Sequence, residues 1–177
     1  MKRIVIKIGG SIVAPRGKID ERFVSSFIKD VISLERQGRK IVLVSSGAIA
    51  CGIDRLGFKR RPQSIATLMA LASIGQIALM DIYAKYLRKY KKECAQILLT
   101  WDDFNDRRRY LNARSTIERL LEFKILPIIN ENDTISSEEI RFGDNDRLSA
   151  LLSDLIGAKT LIILSDVDGL YSKEGLI

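Results

Sequence analysis

The chain has 177 residues, 46% of them hydrophobic, with 29 Lys and Arg against 22 Asp and Glu and a formal charge of +7. So much apolar material excludes a disordered chain, and the length holds one domain, or one domain and part of a second. With no histidine and two distant cysteines, Cys51 and Cys94, a structural zinc site and any His-based acid–base or nucleophilic mechanism are excluded, and both thiols read as buried and inert.

Arg3 to Ile8 is a β-branched run ended by Gly9-Gly10-Ser11, which reads as a buried first strand feeding a tight turn. The N-terminus is too short and too interrupted by Lys7 for a signal peptide. No apolar run reaches bilayer length, so a cytoplasmic protein with no membrane partner is expected. A lysine inside a buried strand is costly unless it meets an anion. Lys7 therefore reads as directed at a phosphate, which backbone N–H groups beside Gly9 and Gly10 can also approach. The competing reading is an edge strand with Lys7 in water. Ile19 to Gln37 has a helical apolar period, with Asp20 as N-cap and Gly38 as terminator. Lys40 to Ser46 is a second buried strand, so the chain opens with a βαβ unit and a parallel sheet. It runs into Ser45-Ser46-Gly47-Ala48, small residues that leave room for a ligand and offer hydroxyls and N–H groups.

Pro62 to Lys92 is helical, with two segments meeting near Ser73 to Gln76. Its apolar residues cover more than one stripe, which predicts core or subunit contact and a homo-oligomer. Ala95 to Thr100 is the third strand, Thr100 to Arg109 a polar connection, Tyr110 to Phe123 a helix and Ile125 to Ile129 the fourth strand. That strand ends in Asn130-Glu131-Asn132-Asp133, either an Asx-turn or polar groups leaving the sheet toward a ligand. Ile135 to Phe142 is a short excursion, read as a hairpin, that returns to Gly143-Asp144-Asn145-Asp146. Locally, Asp144 to Asp146 supply an N-cap and first-turn charge for the run Leu148 to Ile156. Together with Lys7, Ser46 and Asp133 they read as a site, because each stretch falls where a predicted strand ends, and ligands bind open α/β sheets there. Lys159 to Leu164 is the fifth strand, followed by Ser165-Asp166. The basic clusters Lys59-Arg60-Arg61, Lys85 through Lys92 and Arg107-Arg108-Arg109 lack interleaved aromatics. They read as solvated helix faces rather than as a nucleic-acid surface.

Several stretches, in order and along the whole chain, resemble the amino acid kinase family. They are Ile6 to Ser11, Val44 to Ala50, Ile74-Gly75-Gln76, Leu98-Leu99-Thr100, Arg109 to Arg114, Pro127 to Asp133, Gly143 to Asp146 with Leu148-Ser149-Ala150, and Ser165-Asp166 with Gly169-Leu170-Tyr171. The pair Asn-Glu-Asn-Asp and Gly-Asp-Asn-Asp resembles the family's glutamate branch rather than its acetylglutamate, aspartate or nucleotide-phosphate branches. The resemblance implies a three-layer α/β/α sandwich on a mainly parallel sheet. Residues 1–156 would hold the carboxylate substrate and residues 157–177 would begin the nucleotide-binding part. It implies transfer of the γ-phosphoryl of ATP, with Mg²⁺, to the side-chain carboxylate of L-glutamate, the first step of proline synthesis.

Position by position, the resemblance implies that Lys7 contacts a phosphate and that Asp146 organises the catalytic lysines. It implies that Ser46, Asp133 and Asn145 bind glutamate, and that Gly9, Gly10, Ser165 and Asp166 join Lys7 at the nucleotide. No residue is implied as a metal ligand. The chemistry agrees, since phosphoryl transfer needs positioning and charge neutralisation and a carboxylate acceptor is already ionised at neutral pH. One departure stands out. The family continues past Gly-Leu-Tyr to a glycine-rich loop ending in Thr-Lys with a second catalytic lysine, and these 177 residues contain no such pattern. The chain is expected to be the first part of such an enzyme, weakly active or inactive alone. The remaining readings are a family member with a different acceptor, and a non-catalytic dimerisation or regulatory module of this fold.

Overall fold

The computed structural model describes residues 2–136, 145–167, 169, 171–172 and 175–176. Among them, strands β1 (Arg3–Ile8), β2 (Lys40–Val44), β3 (Cys94–Leu99), β4 (Leu126–Glu131) and β5 (Thr160–Leu164) form one parallel sheet in the order β3-β4-β2-β1-β5. A two-residue pair, β6 (Tyr171–Ser172) and β7 (Gly175–Leu176), is antiparallel. The helices are α1 (Gly10–Val13), α2 (Glu21–Arg36), α3 (Ala48–Arg55), α4 (Ile65–Arg88), α5 (Trp101–Asn105), α6 (Arg107–Glu122) and α7 (Asp146–Leu155).

Local signals account for α2. Asp20 Oδ1 accepts from Arg22 N and Phe23 N at 2.9 and 3.0 Å, capping the first turn. Val24, Phe27, Ile28, Val31 and Ile32 form its buried stripe. Gly38 follows at φ 81°, a left-handed conformation that glycine adopts without strain.

The chain steps outward from β1 through β2 to the edge strand β3, then reverses through β4 to reach β5 on the other side of β1. Right-handed crossovers put outward and returning helices on opposite faces. Two cores match that rule. Ile6, Ile8, Ile41 and Leu43 pack with α2 and α4, whereas Val5, Val42 and Val44 pack with Ile117 and Leu121 of α6 and Leu148, Leu152 and Leu155 of α7. Successive strand residues thus serve opposite layers, as the pleat requires, and the α/β/α sandwich is the predicted one. The helices after β2 cover one face and the helix after β4 covers the other. The switch point therefore lies between these neighbouring strands, where a crevice opens at their C-terminal ends.

β1 is the buried strand expected and the competing edge reading falls, since Lys7 lies in register with Val44 on one side and Ile163 on the other. Other expectations are corrected. α4 is one helix of 24 residues that passes Ser73 to Gln76 without a break. It is also long and apolar enough, by length and composition, to cross a membrane, contrary to the reading that no run reached that length. Here it is the crossover between β2 and β3 of one sheet, with Leu71, Leu79, Tyr83 and Leu87 buried in the first core. The polar connection after β3 is helical. Asp103 Oδ2 accepts from Thr100 N at 2.7 Å at the start of α5, and Asp106 Oδ1 accepts from Arg109 N at 2.8 Å at the start of α6. Most of the expected hairpin from Ile135 to Phe142 lies outside the described residues. Its first residues close a turn, with Ile135 N and Ser136 N donating to Asn132 O at 3.1 and 3.0 Å.

α3 and α4 meet main chain to main chain. A Cβ on Gly75 would lie 1.7 Å from Ala48 O, and one on Gly52 would lie 2.0 Å from Leu71 O. Backbone obstacles cannot rotate away, so both positions require glycine. This crossing fixes α3 and the Ser46-Gly47 turn that leads into it, where Gly47 adopts φ 102°. Gly75→Ala is expected to lower unfolding stability by about 3 kcal/mol in urea denaturation, whereas Ser73→Ala on the exposed face should stay within about 0.5 kcal/mol. An unchanged midpoint for Gly75→Ala would refute the main-chain contact.

Cys51 is buried as expected, whereas Cys94, expected to be buried too, is only half-buried at the start of the edge strand β3. Burial pushes the Cys51 thiol up to about 12 and raises that of Cys94 as well. A thiol-reactive dye at about pH 8 should leave Cys51 unlabelled in the native chain and label it on unfolding in urea. Native labelling of Cys51 at the rate of a free thiol would contradict that burial.

Candidate functional site

Lys7 stands one pleat on from Val5, facing the layer of α7, and is only 5% exposed. Its Nζ lies 2.6 Å from Oδ1 of Asp146, the first residue of α7. A buried ammonium is expensive unless a carboxylate offsets its desolvation. The Asp146 side chain remains 40% exposed, so the pair is buried at the lysine end and open at the other.

Asn145 precedes it at the N-cap position, yet its side chain caps nothing. The local expectation of a cap is overridden by tertiary partners. The two Nδ2 hydrogens are shared among Ser45 O at 2.9 Å, Ser46 Oγ at 3.0 Å and Asn130 Oδ1 at 2.8 Å. A backbone carbonyl can only accept, which fixes the orientation of the amide. Asn130 Oδ1 also accepts from Glu131 N at 2.9 Å, which fixes the Asn130 amide in turn. Ser45 and Ser46 follow directly on β2, and Asn130 lies near the end of β4. The Asn145 amide therefore bridges the switch-point crevice. Among the described residues, two buried polar atoms are left without a partner there, Asn145 Oδ1 and Asn130 Nδ2. One orphan acceptor and one orphan donor carry a desolvation cost that a ligand with the complementary groups would relieve.

A cavity of about 560 Å³ adjoins the crevice, within the range of small-molecule sites. Gly10, Ser46, Gly47 and the buried Asp133 form its inner wall, and Lys59, Arg60 and Arg61 its outer rim. Lys18 and Asp54 also line it, so the cavity carries charges of both signs. Arg147, next to Asp146, stacks on Trp101 with 3.9 Å from guanidinium carbon to ring centroid, which ties the start of α7 to α5.

Of the residues expected at the site, Lys7, Ser46, Asn145 and Asp146 converge on the crevice, and Asp133 and Gly10 share the cavity wall with Ser46. Gly9 departs from expectation. Its N–H donates to Leu164 O at 2.9 Å, extending the pairing of β1 with β5 instead of facing a phosphate. A Cβ there would lie 3.2 Å from that carbonyl, so the close strand approach explains the glycine. Ser165 and Asp166 are exposed just beyond β5, and Ser165 Oγ accepts from Val167 N at 3.4 Å. Asp144 lies outside the described residues. Sequence reasoning missed the Asn145 contacts to Asn130 and Ser45, and it missed Tyr83, whose hydroxyl lies 2.9 Å from Ser45 Oγ. Among the described residues no group of three or more His, Cys, Asp or Glu could hold a metal ion.

The sequence pattern of the amino acid kinase family matches residues 2–177. The glutamate 5-kinase of Nitrosospira multiformis is 47% identical over 174 residues, 98% of this chain and 47% of that protein. That of Nitrosomonas eutropha is 49% identical over the same share of each. That of Thermoanaerobacter sp. is 46% identical over 173 residues, 97% of this chain and 46% of that protein. The chain spans about half the length of the curated relatives it matches.

Asp146→Ala removes an acidic partner of a buried ammonium and should destabilise the chain. Removing one partner of a fully buried pair costs about 3–5 kcal/mol, and the exposure of Asp146 reduces this to about 1–2 kcal/mol. Lys7→Met removes the charge itself and should lie within about 1 kcal/mol of the parent. Urea denaturation of both variants decides, and a Lys7→Met loss as large as that of Asp146→Ala would contradict the desolvation argument.

Proposed function

The chain belongs to the amino acid kinase family, and from that premise we propose that its crevice is the acceptor site of a glutamate 5-kinase. The acceptor is L-glutamate, and ATP supplies the phosphoryl group. The observation that carries this reading is the juxtaposition at one switch point of a buried lysine, an orphan acceptor, an orphan donor and a buried aspartate. Glutamate offers an ammonium and two carboxylates. Asp133 and Asn145 Oδ1 suit the ammonium, while Ser46 Oγ and Asn130 Nδ2 suit a carboxylate. The names of relatives 46–49% identical over nearly the whole chain support the same acceptor.

An oxygen of the side-chain carboxylate attacks the γ-phosphorus of ATP, and the bond from that phosphorus to the bridging oxygen breaks. The products are an acyl phosphate and ADP. The attacking group is already anionic, so no general base is needed. The obstacle is repulsion between two anions, and the Lys7 ammonium, held in place by Asp146, neutralises part of the charge that gathers around the phosphoryl group. Gly10 opens α1, so its N–H has no carbonyl ahead of it in that helix and suits a phosphate oxygen. Ser165 and Asp166, at the end of the neighbouring β5, are the proposed nucleotide contacts. Mg²⁺, when bound, would neutralise phosphate charge.

Calorimetry on the chain tests the acceptor, with L-glutamate binding expected and Asp133→Ala weakening it by about tenfold or more. A folded chain that gives no heat with L-glutamate would refute the reading. Transfer is tested with ATP and a panel of acids, using the chain joined to the remaining half of the Nitrosomonas eutropha relative. L-Glutamate should be the best acceptor. Lys7→Ala should lower kcat by about 10²-fold or more while KM for glutamate changes by less than about threefold. Preference for another acid would overturn the acceptor assignment.

A further inference from the structure

We propose that Tyr83 is a positioning residue for the acceptor crevice and acts through Ser45. This rests on the reading of the crevice as the glutamate site. Tyr83 lies on α4 with 1% of its surface exposed, packed in the first core among aliphatic side chains. At such a position phenylalanine would fill the same space, so the hydroxyl needs its own explanation. It lies 2.9 Å from Ser45 Oγ, and Ser45 Oγ lies 3.3 Å from Ser46 O.

The directions of these bonds follow from what each group can do. Ser46 O can only accept, and Ser45 has a single hydroxyl hydrogen. If that hydrogen goes to Ser46 O, then Tyr83 must donate to Ser45 Oγ. The phenol is suited to donating, because burial raises its pKa and keeps it protonated. The resulting relay runs from Tyr83 O–H through Ser45 O–H to the Ser46 carbonyl. From the opposite side, the Asn145 amide donates to Ser45 O and Ser46 Oγ. The two-residue turn is thereby held from both faces, and its set position aims the Ser46 hydroxyl at the ligand. α4 supplies a second fixed point nearby, where Gly75 abuts Ala48 O just past the turn. Loss of the Tyr83 hydroxyl would leave Ser45 Oγ, which is buried, with an unfilled acceptor site. The serine could then turn away from Ser46 O.

Tyr83→Phe, Ser45→Ala and the double variant test this by calorimetry with L-glutamate, alongside urea denaturation. Each single variant should weaken glutamate binding by about tenfold, and the double variant should be no weaker than either single, because both break one relay. A purely structural role would instead move the denaturation midpoint and leave affinity unchanged. Affinity within about twofold of the parent for Tyr83→Phe, or losses that multiply in the double variant, would overturn the proposal. A readout without ligand separates this inference from the acceptor assignment. Tyr83→Phe should shift the side-chain amide signal of Asn145 in the nuclear magnetic resonance spectrum of the free chain. Failure of the parent chain to bind glutamate would count against the acceptor assignment, whereas an unmoved Asn145 signal would count against Tyr83.

Discussion

Beyond Val44 of β2 and Ile129 of β4 the register between the two strands ends, with one further bond from Ser45 N to Ile129 O. From there the side-chain amide of Asn145 takes over the work of the ladder, reaching the end of β2 and the end of β4 at once. The reversal of the chain's winding is what opens the gap, so the bridge stands where an open α/β sheet leaves room for a ligand. Much else follows from its position. Asp146 comes next in the chain, and with Asn145 anchored its carboxylate lies within reach of Lys7. The Ser45-Ser46 turn is pinned on its far side by α4, through Tyr83 and through the glycine crossing that fixes α3.

Electrostatics gives this small polar cluster its direction. Lys7 is buried in a strand paired on both sides, and it forms an ion pair with the half-exposed Asp146. An ammonium so poorly hydrated interacts strongly with an arriving anion, because little water screens it. The adjoining cavity is lined by the buried Asp133, by Asp54 and by the cationic Lys18, Lys59, Arg60 and Arg61. A molecule carrying both an ammonium and carboxylates complements that polarity better than a simple anion or a simple cation does. Transfer to an ionised carboxylate requires charge to be neutralised rather than protons to be moved, so the lack of histidine is compatible with the proposed reaction.

The individual elements were legible where local chemistry decided them. The β-branched run of β1, the Asp20 cap and the Gly38 terminator are all satisfied within a few residues of themselves. Lys7, Ser46, Asp133, Asn145 and Asp146 stood out as polar residues at strand ends, and four of them meet at one crevice while Asp133 lies in the adjoining cavity. Strand order was not legible, because pairing is non-local, and with it went the location of the switch point. Gly75 reads as a weak place in a helix by propensity, whereas its purpose is the close approach of Ala48 O. Asn145 fits a cap by residue type and position, but burial makes its three tertiary acceptors the stronger claim on its amide. Gly9 looked like a phosphate contact for want of any sign that Leu164 O would take its N–H. Tyr83 carried no local signal, since its partner lies 38 positions away.

The central claim is that the crevice between β2 and β4 receives L-glutamate. Nuclear magnetic resonance of the isotopically labelled chain, titrated with L-glutamate, addresses it at the residues concerned. The side-chain amide signals of Asn145 and Asn130 and the backbone signals of Ser46 and Gly47 should move together with a single saturation curve, while Lys92 and Lys124 near the other ends of the strands stay fixed. Shifts confined to residues away from the crevice, or no shifts in a chain that remains folded, would contradict the claim.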